Sequence, residues 1–331
     1  MIKYPPIKIN LGLNVLRKRE DGFHDLETLF LESGRFHDTL EIVTGDDYSR
    51  TMASLAARYG DRGGICDGDI PALAQGISEN GKLMITVARA EGVDWDVRKD
   101  LCAKAYALLD NDFKLPPAKI FLEKNSPVGA GLGGGSADAA YTLTMLNDIC
   151  SLGLSTEQLA GYAARLGSDC AFFIFGRPMF GEGRGEVLTP FELAVDIVDA
   201  GGTACSGSRT GSSIAGNDSS GSGTAGPGNG EHQEKGRPQY ELQTVIPDGI
   251  SVSTAEAYRG ITPAIPEMRL KDVLARPVSE WKDLLVNDFE ATVFKAHPEL
   301  AAIKQSLYDS GAVYASMSGS GSALFALYER R

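Results

Sequence analysis

Cysteine and tryptophan are scarce in this 331-residue chain, with five of the first and two of the second. The cysteines, Cys66, Cys102, Cys150, Cys170 and Cys205, are scattered, odd in number and without a C-x-x-C pair. That pattern speaks against a disulfide framework and a zinc site, and it fits a reducing cytoplasm. Long uncharged apolar runs are absent, and no basic amino-terminal segment leads into one, so neither a membrane span nor a signal peptide is expected. Positive charge is in deficit: 32 Lys and Arg face 44 Asp and Glu, a net charge of -12. Non-specific binding to nucleic acid or to an anionic membrane is therefore not expected. Any phosphate must be gripped locally. With 43% hydrophobic and 23% charged residues, the chain reads as globular, and its length suits two domains.

Glycine, by contrast, is plentiful, and it concentrates in PVGAGLGGGSADAA, residues 127–140. The segment before it, 118–123, reads as a strand; after it Ala137, Ala140, Leu143 and Leu146 recur at helical spacing up to Cys150. The loop is thus strand, glycine turn, helix. Three readings compete: a dinucleotide loop, a phosphate loop, or a bare turn. Gly129, Gly131 and Gly134 satisfy G-x-G-x-x-G, a weak match when alone. A dinucleotide fold wants a buried strand directly before the loop and an acid closing a strand about 20 residues later, and neither is found. The Walker template fails because no lysine precedes Ser136. What remains is backbone chemistry: glycines let N–H groups converge, and a helix starting at Ser136 adds its unpaired donors and dipole, so phosphates can be held without a loop lysine.

Elsewhere, Ile7, Ile9, Leu11, Leu13 and Val15 alternate with polar residues, the pattern of a strand with one buried face; Lys8 and Asn10 share its other face. Further strands are expected at 39–43 and 83–87, a loop at 61–77 and a helix over 99–109. Ser155 and Gln158 form a capping-box signal for a helix over 156–166. Asp169 then stands alone before the apolar run CAFFIF, as either a chemical group or the N-cap of a short helix. Gly181, Gly183 and Gly185 predict a hairpin, helices are expected near 279–289 and 298–310, and the chain closes on two apolar runs around a Gly-Ser turn. Residues 201–236 shift to Gly, Ser, Thr and Asn and are expected to be a disordered insertion.

PVGAGLGGGSADAA resembles the phosphate loop of the GHMP kinases, a family that binds ATP without a Walker lysine. IKINLGLNVLRKREDGFHDLETLF near the amino terminus resembles the branch whose acceptor is a diphosphocytidyl-linked methylerythritol, and so do LGSDCAFFIFG, GEGRGEVLTP, PDGISVSTAEAY, NDFE and MSGSGSALFALY, in the same order. The resemblance covers most of the chain outside 46–94 and 201–236. It implies an α+β fold of two domains: residues 1–178 with a β-α-β phosphate loop that binds ATP, and residues 179–331 of ferredoxin-like layering, carrying the insertion, with catalysis in the cleft between.

By the same resemblance, Asp169 accepts the proton of the acceptor hydroxyl and Lys8 stabilises that aspartate and the phosphate charge. Pro127, Gly129, Ala130, Gly131, Leu132, Gly133, Gly134, Gly135 and Ser136 wrap the phosphates of ATP. Mg²⁺ bridges those phosphates, with no protein metal cage implied. Phe23 and His24 hold the cytosine, Tyr258 is a candidate for its opposite face, and Asn10 touches the erythritol or phosphate. The partner is a small molecule, with no nucleic acid or membrane, and the chain is expected to be a monomer or weak homodimer. Without the resemblance, Lys8 reads as a solvated strand lysine, His24 as a turn histidine and Tyr258 as a core aromatic. Arg17, Lys18 and Arg19 read as a solvated strand end.

The chain also departs from the family pattern. Lys99, Asp100 and Leu101 stand where D-N-L is common, which puts adenine contacts from that segment in question, and Ala137 replaces a frequent serine. Two rivals stay open, a kinase of the same family for another small alcohol and a catalytically silent nucleotide-binding module.

Overall fold

The computed structural model describes residues 1–45, 71–200, 204–205 and 238–330. The expected loop at 61–70 and nearly all of the expected insertion at 201–236 lie outside them.

The first half of the chain alternates hairpins and crossovers. Strands β1 (Ile2–Lys3), β2 (Pro6–Lys18), β3 (His24–His37), β4 (Thr39–Thr44), β5 (Leu73–Ile77) and β6 (Leu83–Arg89) precede helix α1 (Leu101–Phe113), strand β7 (Ala118–Lys124) and helices α2 (Gly134–Ile149), α3 (Thr156–Ala164) and α4 (Cys170–Phe175). A five-stranded sheet has the order β1-β4-β7-β6-β5. In it β6 and β7 run parallel, joined by the α1 crossover, and the other pairs are antiparallel. Helices α1 to α4 cover the sheet with Ala105, Tyr106, Leu109, Ala140, Leu143 and Phe172, all buried.

The second half begins with the hairpin β8 (Met179–Glu182) and β9 (Val187–Pro190), then β10 (Asp196–Asp199) and β11 (Gln239–Val245). Five helices follow, α5 (Thr254–Arg259), α6 (Leu270–Leu274), α7 (Val278–Leu284), α8 (Glu290–Ala296) and α9 (Pro298–Asp309), and the chain ends on β12 (Tyr314–Met317) and β13 (Leu324–Glu329). A four-stranded sheet of order β10-β11-β13-β12, with β10 and β11 parallel, is packed on both faces, by α5, α8 and α9 on the side of Leu324 and Ala326 and by α6 and α7 on the side of Phe325 and Leu327. A third sheet, β2-β3-β8-β9, crosses the 178/179 boundary, because Met179–Glu182 pairs with His24–His37.

Three local expectations change. Strand β2 is buried on both faces from Pro6 to Leu13, not one, because the loop and the carboxyl-terminal turn cover the face that carries Lys8 and Asn10. Residues 73–77 are an edge strand rather than a loop: backbone pairing with β6 supplies the order that the weakly apolar LAQGI does not advertise. The helix expected over 279–289 stops at Leu284, since Val286 and Asp288 exchange backbone hydrogen bonds with Leu13 and draw NDFE into a bridge against β2. The capping box at Ser155 forms as expected, with both reciprocal hydrogen bonds present.

Candidate active site

The glycine loop connects the end of β7 to α2. Gly129, Gly131 and Gly133 all have φ near +70°, a region that side chains rarely adopt. Gly131 has a second requirement: a Cβ there would stand 2.4 Å from the carbonyl oxygen of Ser318 and 3.0 Å from that of Gly321. The Gly-Ser turn between β12 and β13 thus rests directly on the loop. Gly133 occupies the N-cap of α2, so no side chain takes the helix's first amides. They border a cavity of about 370 Å³ lined by Gly129 to Ser136, Trp95, Lys99, Leu101 and Val128. Asp100 is used up locally, capping α1 through the Cys102 amide (2.9 Å) and accepting from the Trp95 indole (3.2 Å).

A buried ionic cluster lies under the loop, and the sequence reading missed it. Lys124 Nζ donates to Asp38 and, at 2.6 Å, to Asp138. Asp38 also accepts from the amides of Asn125 and Ser126, both at 2.7 Å, and from the Ser126 hydroxyl at 2.8 Å. Burial opposes the charge on Lys124, but Asp138 and Asp38 together outweigh it and hold its pKa above the ordinary value. Burial pushes the Asp138 carboxyl well above its ordinary value, although the Lys124 charge works the other way. The signal in the sequence was the polar run Glu123 to Ser126, at the end of β7 and ahead of Pro127, Val128 and the glycines.

Lys8 is 3% exposed, so it is not a solvated strand lysine. Its ammonium donates to Asn10 Oδ1 and to the Gly131 carbonyl (2.9 Å), and stands 3.4 Å from Asp169 Oδ2. Asp169 occupies the N-cap position of α4 but makes no side-chain capping bond. Its carboxylate is turned toward Lys8 instead. Asn10 is fixed in turn by Thr28, whose Oγ1 accepts from Nδ2 at 3.0 Å, and its amide donates to Ser318 Oγ at 3.3 Å. Asn287 ties down the Gly-Ser turn by donating to the carbonyls of Met317 (2.7 Å) and Gly319 (2.9 Å).

A second cavity, about 220 Å³, is lined by Lys8, Asn10, Asp169, Arg184 and Tyr258. Gly131 and Gly133 line both cavities, so the two meet at the loop beside the Lys8–Asp169 pair. The geometry is that of two compartments sharing a wall, with a cation and a carboxylate at the junction. A group on a ligand in one compartment can reach a ligand in the other there.

Tyr258 and Phe289 line the second cavity, whereas Phe23 and His24 are not among its lining residues and lie beyond Arg184 and Tyr258. Phe23 is 55% exposed, with the Arg184 guanidinium 4.9 Å from its ring centre. His24 and Tyr258 stack on each other, 4.7 Å apart and 19° from parallel, so Tyr258 faces His24 rather than standing across a slot from Phe23. Phe289 meets the Tyr258 ring edge-on at 4.7 Å. Burial, and then the charge of Lys18, holds the His24 pKa below its ordinary 6.5. Burial, with the Asp169 charge adding, raises the phenol of Tyr258. Arg17 and Arg19 are paired to Asp25 and Asp21, as a solvated strand end would be.

No helix among the described residues is long and apolar enough to cross a membrane. The family model "GHMP kinases N terminal domain" matches residues 100–177 and "GHMP kinases C terminal" matches 270–331. The 4-diphosphocytidyl-2-C-methyl-D-erythritol kinase of Bacteroides thetaiotaomicron is 39% identical over 99% of this chain and 92% of its own length, and that of Bacteroides fragilis is 38% identical over the same shares. A crystal structure of 4-(cytidine 5'-diphospho)-2C-methyl-D-erythritol kinase superposes with a TM-score of 0.63 at 26% identity, covering 99% of this chain and 90% of the other. A mevalonate kinase structure, at 10% identity and a TM-score of 0.55 over 99% and 91% of the two chains, shares the fold. The chain belongs to the GHMP kinase family, on the branch of the 4-diphosphocytidyl-2-C-methyl-D-erythritol kinases.

Proposed function

We propose that this chain transfers the γ-phosphoryl group of ATP to the 2-hydroxyl of 4-diphosphocytidyl-2-C-methyl-D-erythritol, giving the 2-phosphate and ADP, a step of the non-mevalonate route to isoprenoid precursors. The observation that carries the reading is the Lys8–Asp169 pair at the junction of the two cavities, 3.4 Å apart beside Gly131 and Gly133. ATP occupies the glycine-lined cavity. Its phosphates lie on the amides of Gly129 to Ser136, and its purine packs toward Trp95, Leu101 and Val128. The acceptor places its polyol at Asn10 and its 2-hydroxyl at Asp169 in the second cavity and extends past Arg184, so that its cytosine lies outside the cavity at Phe23 and His24.

Phosphoryl transfer asks mainly for alignment and charge neutralisation. Asp169 takes the hydroxyl proton as the oxygen bonds to γ-phosphorus; the bond to the β-γ bridging oxygen breaks and its electrons leave with ADP. Lys8 keeps the carboxylate aimed and offsets charge on the transferring group. Mg²⁺ supplies further neutralisation of the phosphates when bound. The Ser136 hydroxyl, which lines the donor cavity, would be a protein group able to hold that ion. We assign the donor side to residues 1–178 and the completion of the acceptor side to residues 179–331.

The test is an ADP-release assay on the purified chain with ATP and Mg²⁺. Turnover that requires the diphosphocytidyl acceptor supports the reading. Turnover on a simple polyol but not on that acceptor favours a relative with another small alcohol substrate, and ATP binding without any turnover favours a silent nucleotide module.

A further inference from the structure

Resting on that reading, we infer that Arg184 is the clamp for the diphosphate of the acceptor and sets the preference for a diphosphate-bearing ligand over a bare nucleoside. The acceptor joins a base to a polyol through two phosphates. If the base lies at Phe23 and the reacting hydroxyl at Asp169, the diphosphate crosses the wall between them. Arg184 is on that wall. Its guanidinium is 4.9 Å from the Phe23 ring centre, and the same residue lines the cavity that contains Lys8 and Asp169.

Charge narrows the choice. Among the described residues, Lys8 and Arg184 are the only cationic side chains lining this cavity. Lys8 is already committed to Asn10, the Gly131 carbonyl and Asp169. Arg17 and Arg19, on the neighbouring strand end, are tied to Asp25 and Asp21. In a chain of net charge -12, an anionic ligand needs a local cation, and Arg184 supplies one from the cavity lining, its own partner Glu186 engaging only Nε and the backbone amide.

The local backbone presents the side chain for this task. Arg184 sits at the tip of the β8–β9 hairpin between Gly183 and Gly185, both with positive φ. Glu186 accepts from the Arg184 amide at 2.5 Å and from Nε at 3.3 Å, which orients the guanidinium. That contact uses Nε and leaves the terminal nitrogens for a phosphate fork. The side chain is 42% exposed, so replacing it leaves no buried partner unsatisfied.

The experiment measures binding of CDP and of cytidine by titration calorimetry, with the donor site saturated by a non-hydrolysable ATP analogue, for wild type, Arg184→Gln and Arg184→Lys. It is paired with KM for the acceptor and for ATP. Wild type is expected to bind CDP at least about tenfold more tightly than cytidine. Arg184→Gln should abolish that difference and raise the acceptor KM by about 10- to 100-fold while the ATP KM stays within about twofold. Arg184→Lys, which keeps the charge but not the fork, should fall between. An Arg184→Gln protein that retains both the CDP preference and the acceptor KM overturns the inference and leaves the proposed function standing. A wild type that binds neither CDP nor cytidine and does not use the acceptor overturns both.

Discussion

The ammonium of Lys8, on the second strand, lies 3.4 Å from the carboxylate of Asp169, which begins a helix 161 positions later in the chain. Asp169 stands where a capping residue would stand and does not cap. That placement leaves its carboxylate free to serve as the proton acceptor of the proposed reaction. Replacing Asp169 with Asn keeps the shape and removes the proton acceptor. Turnover should fall by roughly two to four decades while ATP affinity stays within about twofold. Steady-state kinetics and nucleotide titration read the two quantities separately; a rate within about twofold of wild type would remove Asp169 from the mechanism.

Gly131 combines a φ of +75° with backbone atoms where a Cβ would go. Neither the Ser318 carbonyl nor the Gly321 carbonyl can rotate out of the way as a side-chain tip can. Gly131→Ala should therefore cost more than about 1 kcal/mol of stability and weaken ATP binding by more than about tenfold. Gly161, in the exposed middle of α3 with nothing within 4 Å of its would-be Cβ, is the contrast: Gly161→Ala should stabilise by about 0.5–1 kcal/mol. Thermal unfolding of the two variants should shift in opposite directions.

Lys124 bridges two carboxylates that are each 1% exposed. Lys124→Met removes the only cation described between them, and breaking such a buried pair costs about 3–5 kcal/mol. The glycine loop would also lose its floor, because Asp38 holds the amides of Asn125 and Ser126. Chemical denaturation should show the loss. Adding Asp38→Asn and Asp138→Asn to Lys124→Met should restore part of it, since the unpaired charges are then gone. Full stability in the single variant would show that the cluster contributes nothing.

His24 gives the pH dependence. Its folded pKa lies below 6.5, so the imidazole is neutral at pH 7 and takes up a proton only at more acid pH. Acceptor KM should be flat above pH 7 and should rise as pH falls through the lowered value; His24→Gln, which cannot titrate there, should lose that acid limb. Stability follows the same sign. Below pH 6.5 the unfolded chain binds the proton more readily than the folded one, so the contribution of His24 to stability declines from there down to the folded pKa. An acceptor KM that climbs with acid equally in His24→Gln would clear His24 of this role.

The glycine loop of the candidate site was legible in the sequence because its shape follows from local composition and period. The strand, glycine turn and helix around residues 118–149 were readable from period and composition, and the capping box at Ser155 from two residues. Side-chain partnerships across long separations were not. Nothing in IKIN says that Lys8 is buried, since a strand's outward face looks solvated until the element that covers it is known. Here that cover is the Gly-Ser turn more than 300 residues away, through Ser318. Asp38 and Asp138 were invisible for the same reason, each an ordinary acid until Lys124 brings them together. The early end of the helix at Leu284 was hidden because a backbone bridge to Leu13 overrides local helical preference. The edge strand at Leu73–Ile77 is likewise made by pairing rather than by pattern.

The most direct measurement is a crystal structure of the chain with a non-hydrolysable ATP analogue and the diphosphocytidyl acceptor bound together. The triphosphate should lie on the amides from Gly129 to Ser136, with the γ-phosphorus facing an acceptor hydroxyl that is within hydrogen-bonding distance of Asp169. A triphosphate seated away from the glycine loop, or an acceptor whose hydroxyl points away from Asp169, would contradict the account.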